Sequence, residues 1–269
     1  MGFFRSVDNK RRTVIIDGDI LVYKTAEAVS ETYEMETDED DTYIYRTISY
    51  ANKQKAKDYL KHLILKIKKD TKATNMCICL SSAEGNFRKE INPAYKSNRK
   101  NVKPVLWSWI RELIEHSNME IYLKPTLEAD DVIGILATSP VIKGEKIVWS
   151  LDKDFKTIPC TFYNAKPDGT HKVYKITEAE ADWWFMYQTL KGDKVDGYKG
   201  CVGVGDSIAR KILGAVGEKT LDEMWKDVLN AFKKAGMTEE DALLNARMAR
   251  ILRASDYDFK KKEVKLWNN

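Results

Sequence analysis

Short apolar runs that stop abruptly on acidic residues recur along this chain. Thr13-Val14-Ile15-Ile16 is β-branched, reads as a buried strand and ends at Asp17-Gly18-Asp19. Met76 to Leu80 reads as a second buried strand. Met119 to Lys124 reads as a third and is followed by Leu127-Glu128-Ala129-Asp130-Asp131, where a helical pattern opens. Lys146 to Leu151 reads as a fourth and runs into Asp152-Lys153-Asp154.

The intervening segments carry a different period. Residues 18 to 29 form a short helical pattern. Tyr59, Leu60, Leu63, Ile64 and Ile67 recur at helical spacing and predict an amphipathic helix over Ala51 to Asp70. Pro104 suits the first turn of a helix running to His116. Glu31 to Ser49, around Thr37 to Asp41, predicts a protruding hairpin, and Thr161 to Lys175, around Pro167-Asp168-Gly169, a second one. From Thr177 onward the pattern is almost entirely helical. Trp183, Trp184, Phe185 and Tyr187 could suggest a base-stacking platform, but their register favours core packing. The expected fold class is α/β, a mostly parallel central sheet with helices on both faces, followed by a helical C-terminal part. A boundary near residue 176 divides the chain into 1–176 and 177–269, packed on each other.

Composition narrows the class without naming a partner. The chain has 269 residues, 43% hydrophobic and 32% charged, enough for a sizeable core. No apolar stretch reaches membrane-spanning length, and Met1-Gly2-Phe3-Phe4-Arg5 lacks the apolar run of a signal peptide, so the expected compartment is the cytoplasm, with no membrane partner. Cys77, Cys79, Cys160 and Cys201 lack paired zinc-ligand spacing and read as free thiols. Only His62, His116 and His171 are present, which disfavours a histidine triad or zinc centre. The net charge of +4 says little, but its distribution says more. Asn86 to Lys103 holds six basic residues (Arg88, Lys89, Lys96, Arg99, Lys100, Lys103) against the single acid Glu90, whereas Glu31 to Asp41 is strongly acidic. A basic stretch beside an acidic centre suits a polyanionic substrate.

In open α/β sheets, ligands bind outside the carboxyl ends of the strands. Asp17, Glu128, Asp130, Asp131, Asp152 and Asp154 are thereby aimed at one crevice from three segments. Carboxylates so crowded repel one another unless cations compensate them. Hard oxygen donors suit Mg²⁺ or Mn²⁺, and two ions about 3.5 to 4 Å apart serve phosphoryl transfer. Taken singly, any of these acids is equally explained as a helix N-cap.

Further on, Gly192-Asp193-Lys194-Val195-Asp196 adds two acids and precedes Gly200-Cys201-Val202-Gly203-Val204-Gly205, which leads into Asp206 to Leu213. Closely spaced glycines before a helix let the backbone approach phosphates. Together these segments resemble the 5′-nuclease family, which includes flap endonucleases and the 5′-nuclease domain of bacterial DNA polymerase I. The matching motifs are Asp17-Gly18, Glu128-Ala129-Asp130-Asp131, Asp152-x-Asp154, Asp193-x-x-Asp196 and the glycine turn, with Phe87-Arg88 and Tyr95-Lys96-Ser97-Asn98-Arg99 similar to the segment leading into the family's helical arch. The likeness covers nearly the whole chain. It is greatest to the short 5′→3′ exonucleases of short-tailed bacteriophages, through Asp152 to Pro159, Ala181-Asp182-Trp183-Trp184, Gly236 to Asp241 and Met248 to Arg253.

The resemblance implies a PIN-like 5′-nuclease fold with a helix-hairpin-helix-type DNA-binding motif. It implies metal-dependent hydrolysis of duplex DNA from 5′ ends in phage replication and recombination, extending to flaps and to the RNA strand of RNA·DNA hybrids. It assigns Asp17, Glu128, Asp130 and Asp152 to the more tightly held ion and Asp131, Asp154, Asp193 and Asp196 to a second. Lys96 and Arg99 become the catalytic contacts to the scissile phosphate. Arg88 joins the DNA-binding set, Tyr95 is suited to stacking on a terminal base or packing against the arch, and Gly203, Gly205, Arg210 and Lys211 to tracking backbone phosphates, with a K⁺ site at the turn as in relatives. One departure stands out: many relatives place a metal-site aspartate after the second strand, where this chain has Ser81-Ser82-Ala83-Glu84, leaving Glu84 as a shifted substitute or the ligand absent. Two other readings stay open, a phosphohydrolase with an aspartyl nucleophile at Asp17-Gly18-Asp19 and a DNA-binding relative without catalysis.

Overall fold

Val14 and Ile16 face one side of strand β1 (Arg12–Asp17) and Ile15 the other, and all three are fully buried. This strand is the middle of the molecule, a computed structural model describing residues 11–39, 42–99 and 102–268. After it come α1 (Gly18–Ala28), the antiparallel ribbon β2 (Ser30–Glu39) and β3 (Thr42–Ala51), α2 (Lys53–Thr71), β4 (Asn75–Cys79), α3 (Phe87–Ile91), α4 (Trp107–Glu115), β5 (Ile121–Tyr122) and α5 (Ala129–Thr138). The chain continues through β6 (Glu145–Ser150), a 3-10 turn (Lys153–Thr157), β7 (Thr161–Ala165), β8 (His171–Lys175), then α6 (Glu178–Lys191), α7 (Asp206–Leu213), α8 (Leu221–Lys234), α9 (Glu239–Ala249) and a small ribbon of β9 (Tyr257–Asp258) and β10 (Glu263–Val264).

The main sheet has six strands in the order β5-β4-β1-β6-β7-β8, parallel except for β8. Parallel pairing sets Asp17 opposite Cys79, so the acids that follow β1 and β6 emerge at one edge. Helices α1, α2 and α4 cover one face through Leu21, Leu60, Leu63 and Ile110. On the other face α5 contributes Val132, Ile133 and Leu136, with Phe155 and Leu252. Gly18 makes the β1–α1 turn fit: a Cβ there would lie 2.5 Å from the Cys79 carbonyl oxygen. Helices α6 to α9 enclose a third core around Phe185, Met186, Val228 and Phe232. Trp183, Phe185 and Tyr187 are buried in it and Trp184 is half-buried, as their register predicts.

Three expectations shift. Pro104 opens a turn in which its carbonyl accepts from Trp107 N at 3.0 Å, and α4 begins only at Trp107. The strand expected over Met119 to Lys124 is reduced to Ile121–Tyr122, since it pairs with β4 alone. The chain after α9 leaves the helical pattern: Ile251, Leu252 and Tyr257 return to pack beneath α5. Cys77, Cys79 and Cys201 are buried free thiols, and Cys160 is a half-buried one. No helix among the described residues is long and apolar enough to cross a membrane. The opening Met1 to Arg5, the hairpin tip at Asp40 and Asp41, and Lys100 of the basic stretch lie outside the described residues.

Candidate active site

The carboxyl edge of the sheet forms the floor of a cleft of about 370 Å³ lined by Asp17, Asp130, Asp152 and Asp154, with Glu128, Asp193 and Asp196 around them. Each acid is placed by local backbone chemistry. Asp17 caps α1, accepting from Ile20 N at 3.1 Å with one oxygen and from Ser150 Oγ at 2.7 Å with the other. Asp152 caps the 3-10 turn through Asp154 N at 2.8 Å, and Gln188 of α6 donates to Asp154 at 2.7 Å. Glu128 occupies the N-cap position of α5, which puts Asp130 in its first turn. Asp193 accepts from Val195 N at 2.7 Å and from Asp196 N at 3.2 Å, closing the loop that presents Asp196.

The basic segment supplies countercharge. Lys96 Nζ donates to Glu128 at 2.6 Å and lies 3.7 Å from Asp196, and Arg99 pairs with Asp196. Lys96 adopts φ 53°, a conformation uncommon for a residue with a side chain, and its N–H donates to the Asp196 carbonyl at 2.9 Å. That bond, with Asn98 Nδ2 donating to the Lys194 carbonyl at 2.8 Å, fastens the basic turn to the acidic loop.

The floor acids feel Lys96 and Lys153 only at a distance, and burial and mutual repulsion win. Burial, with Asp19 nearby, pushes Asp17 up to about 7. Burial and the neighbouring Asp152 push Asp154 up to about 7 as well. Asp130 and Asp152 are raised by burial too, and Asp17 adds repulsion at Asp130. Glu128 runs the other way: against its burial, Lys96 and Arg88 hold it down at about 2. The floor is thus a set of oxygen donors crowded beyond what they tolerate as anions, the donor chemistry of a hard divalent cation. Among the described residues no three acidic, histidine or cysteine side chains converge on one point closely enough to hold an ion as they stand.

Several expected roles are corrected by position. Asp131 is fully buried and does not line the cleft: Arg88 donates to both its oxygens at 2.7 Å, and Leu252 N to one at 3.1 Å. Arg88 is itself buried in this clasp and reaches Glu128 at 3.0 Å, so it meets the cleft from beneath its acids. Tyr95 is 3% exposed, with its hydroxyl donating to Glu128 at 3.0 Å and its ring packed into the protein at the cleft's edge, the packing alternative of its two expected roles. Glu84 is exposed and lies outside the cleft. Asp19, in the first turn of α1, does line the cleft, held by Ser81 and by Arg111 at 3.5 Å. Its position two residues after Asp17 at a strand end was the signal that could have found it. Each Asp17 oxygen accepts one hydrogen bond, which fixes its orientation and leaves lone-pair capacity for a cation; an aspartyl-phosphohydrolase at Asp17 would leave Glu128 and Asp130 in the same cleft without a role.

Away from the cleft, Gly203 adopts φ 79° and neither it nor Gly205 has an atom within 4 Å of a built Cβ, leaving the turn before α7 open to an approaching backbone. Arg210 and Lys211 are exposed on that helix. Residues 12–181 match the 5′-3′ exonuclease, N-terminal resolvase-like domain. The chain is 34% identical to the exonuclease of Escherichia phage T7, over 94% of this chain and 92% of that one. The chain belongs to the 5′-3′ exonuclease family. The exodeoxyribonuclease of Enterobacteria phage T3 is 32% identical over the same shares. DNA polymerase I of Bacillus subtilis is 26% identical over 90% of this chain but only 28% of its own length. The fold is that of the phage T5 5′-exonuclease, described with bound zinc: TM-score 0.61, 16% identity, 89% of each chain covered. The T5 D15 flap endonuclease in a complex with DNA and metal ions matches with TM-score 0.56 at 13% identity, over 89% of this chain and 99% of that one.

Proposed function

We propose that this family member is a divalent-metal-dependent exodeoxyribonuclease that shortens duplex DNA from its 5′ ends. The observation that carries the reading is the meeting of acids from separate segments, Asp17, Asp130, Asp152 and Asp154, beside Lys96 and Arg99 in one cleft. Flaps and the RNA strand of RNA·DNA hybrids extend the substrate class. The setting is phage DNA replication and recombination in the host cytoplasm.

Asp17, Glu128, Asp130 and Asp152 would hold one Mg²⁺ or Mn²⁺ ion, and Asp154, Asp193 and Asp196 a second. Ions bound there supply an acidified water and a countercharge for the phosphodiester. The chain's own groups do the rest. Lys96 and Arg99 now neutralise Glu128 and Asp196. With those acids compensated by bound cations, Lys96 and Arg99 would be free to turn to a phosphate and oppose the charge that develops on its oxygens. Tyr95 fixes the Glu128 carboxylate by hydrogen bonding, and Arg88 holds it from beneath. Helices α6 to α9 act as the DNA-gripping part, with the Gly203 to Gly205 turn, Arg210 and Lys211 on the backbone and K⁺ at the turn's carbonyls.

The test is digestion of one duplex labelled at either the 5′ or the 3′ end, with Mg²⁺, with Mn²⁺ and with chelator. Early release of short 5′-labelled products, abolished by chelation, supports the reading. Early loss of the 3′ label, or binding without cleavage in any metal, overturns it.

A further inference from the structure

Asp154, Asp193 and Gln188 belong to the cleft and also to one wall of a second pocket of about 200 Å³ between the 3-10 turn and α6. Lys153, which also lines the cleft, completes this pocket together with Lys156, Lys191, Trp184 and Tyr187. None of the three ammonium groups makes a salt bridge among the described residues. Lys156 Nζ lies 4.7 Å from the centre of the Trp184 ring and 4.9 Å from that of Tyr174, and Lys191 Nζ lies 5.6 Å from Tyr187. An ammonium resting on an aromatic face is positioned without being neutralised, so it keeps its charge for an anion. The same two rings also carry Arg210 of α7, at 5.7 Å from Trp184 and 5.1 Å from Tyr187. Cations therefore extend from the edge of the acidic cleft toward the helix that follows the glycine turn, where Arg210 also pairs with Asp206 at 3.2 Å.

We propose that this pocket binds a backbone phosphodiester of the DNA strand retained after cleavage, one or two linkages from the scissile one. Its carboxylate edge faces the reacting phosphate, and its lysine interior takes a neighbouring one. The row Lys153, Lys156, Lys191 and Arg210 then sets the distance between the cut and the duplex held at the turn. Backbone charge is all that these groups read, so recognition is independent of sequence. This inference rests on the nuclease reading and gives that reading its register along the strand.

The experiment compares wild type with a Lys156→Ala/Lys191→Ala variant, by fluorescence anisotropy on one duplex in chelator, across a range of salt. About tenfold weaker binding near 0.1 M salt is expected, with the salt slope lowered by roughly 0.9, the value for one lost phosphate contact. Duplexes carrying a single uncharged methylphosphonate locate the contact: one such linkage near the cut weakens wild type and leaves the variant unaffected. Lys156→Arg/Lys191→Arg retains the slope. Lys153→Ala, at an exposed position where folding is not at stake, lowers it by a fraction of that amount. An unchanged salt slope in both alanine variants, or one methylphosphonate profile shared by wild type and the double variant, overturns the pocket. Cleavage of the same duplex by wild type in Mg²⁺ separates the failures, because its absence would sink the nuclease reading instead.

Discussion

Arg88 donates one hydrogen bond to each oxygen of Asp131, both at 2.7 Å, and neither side chain reaches solvent. Arg88 sits on α3 and Asp131 on α5, and the Arg250 carbonyl accepts from the same guanidinium at 2.5 Å. The clasp ties the basic segment, the helix that starts at Glu128 and the returning C-terminal chain into one unit.

Removing one partner of a buried ion pair leaves the other charge unpaired and costs about 3–5 kcal/mol. Arg88→Ala is therefore expected to lower unfolding stability by that order, read by urea denaturation. Asp131→Asn should destabilise as well while divalent-ion affinity, measured by calorimetry at a pH where the protein is folded, stays near that of wild type. A large selective loss of ion affinity in Asp131→Asn would restore it as a ligand.

Asp17 and Asp154, both near 7 when folded, bind more protons than the unfolded chain between about pH 4 and pH 7. Their contribution to stability is present at low pH and is lost as pH rises through that window. A bound divalent ion favours the anions and offsets the loss. The melting temperature without metal should fall from pH 5 to pH 8 relative to that with Mg²⁺, so the Mg²⁺-induced shift grows with pH. A shift that shrinks or stays level with rising pH would speak against a carboxylate metal centre.

Lys211 is exposed on α7 beside the open glycine turn. Lys211→Ala is expected to weaken duplex binding to a similar extent for unrelated sequences and to reduce the salt slope by about 1. A loss confined to particular base sequences would contradict a backbone contact.

How far the sequence carried this reading varies with the range of the interactions. Asp17 and Asp152 were legible because an apolar run ending on an acid is a local pattern, and parallel pairing then carries both to one edge. The roles of Arg88, Asp131 and Tyr95 were not, because their partners lie far along the chain: Arg88 and Asp131 are 43 positions apart, Tyr95 and Glu128 33. Spacing put Glu128 and Asp131 on one helical face, and Arg88 Nη1 does reach both, at 3.0 and 2.7 Å, but Asp131 is committed to that clasp and does not line the cleft. The aromatic run at Trp183 to Tyr187 was read correctly as core by its register, which gave no sign of the cations that three of those rings also hold. The return of Ile251 and Leu252 beneath α5 has no periodic signature, since it depends on the surface that α5 offers.

Asp130 lies where burial, Asp17 and Asp152 all oppose its charge, so its carboxylate belongs to the account only as part of a metal-compensated group. The most direct test is a parallel measurement on wild type and Asp130→Asn of binding to, and Mg²⁺-dependent cleavage of, one 5′-labelled duplex. The Asp130→Asn variant is expected to bind the duplex with affinity close to that of wild type and to lose cleavage by several orders of magnitude. Cleavage by Asp130→Asn at a rate comparable to wild type would contradict it.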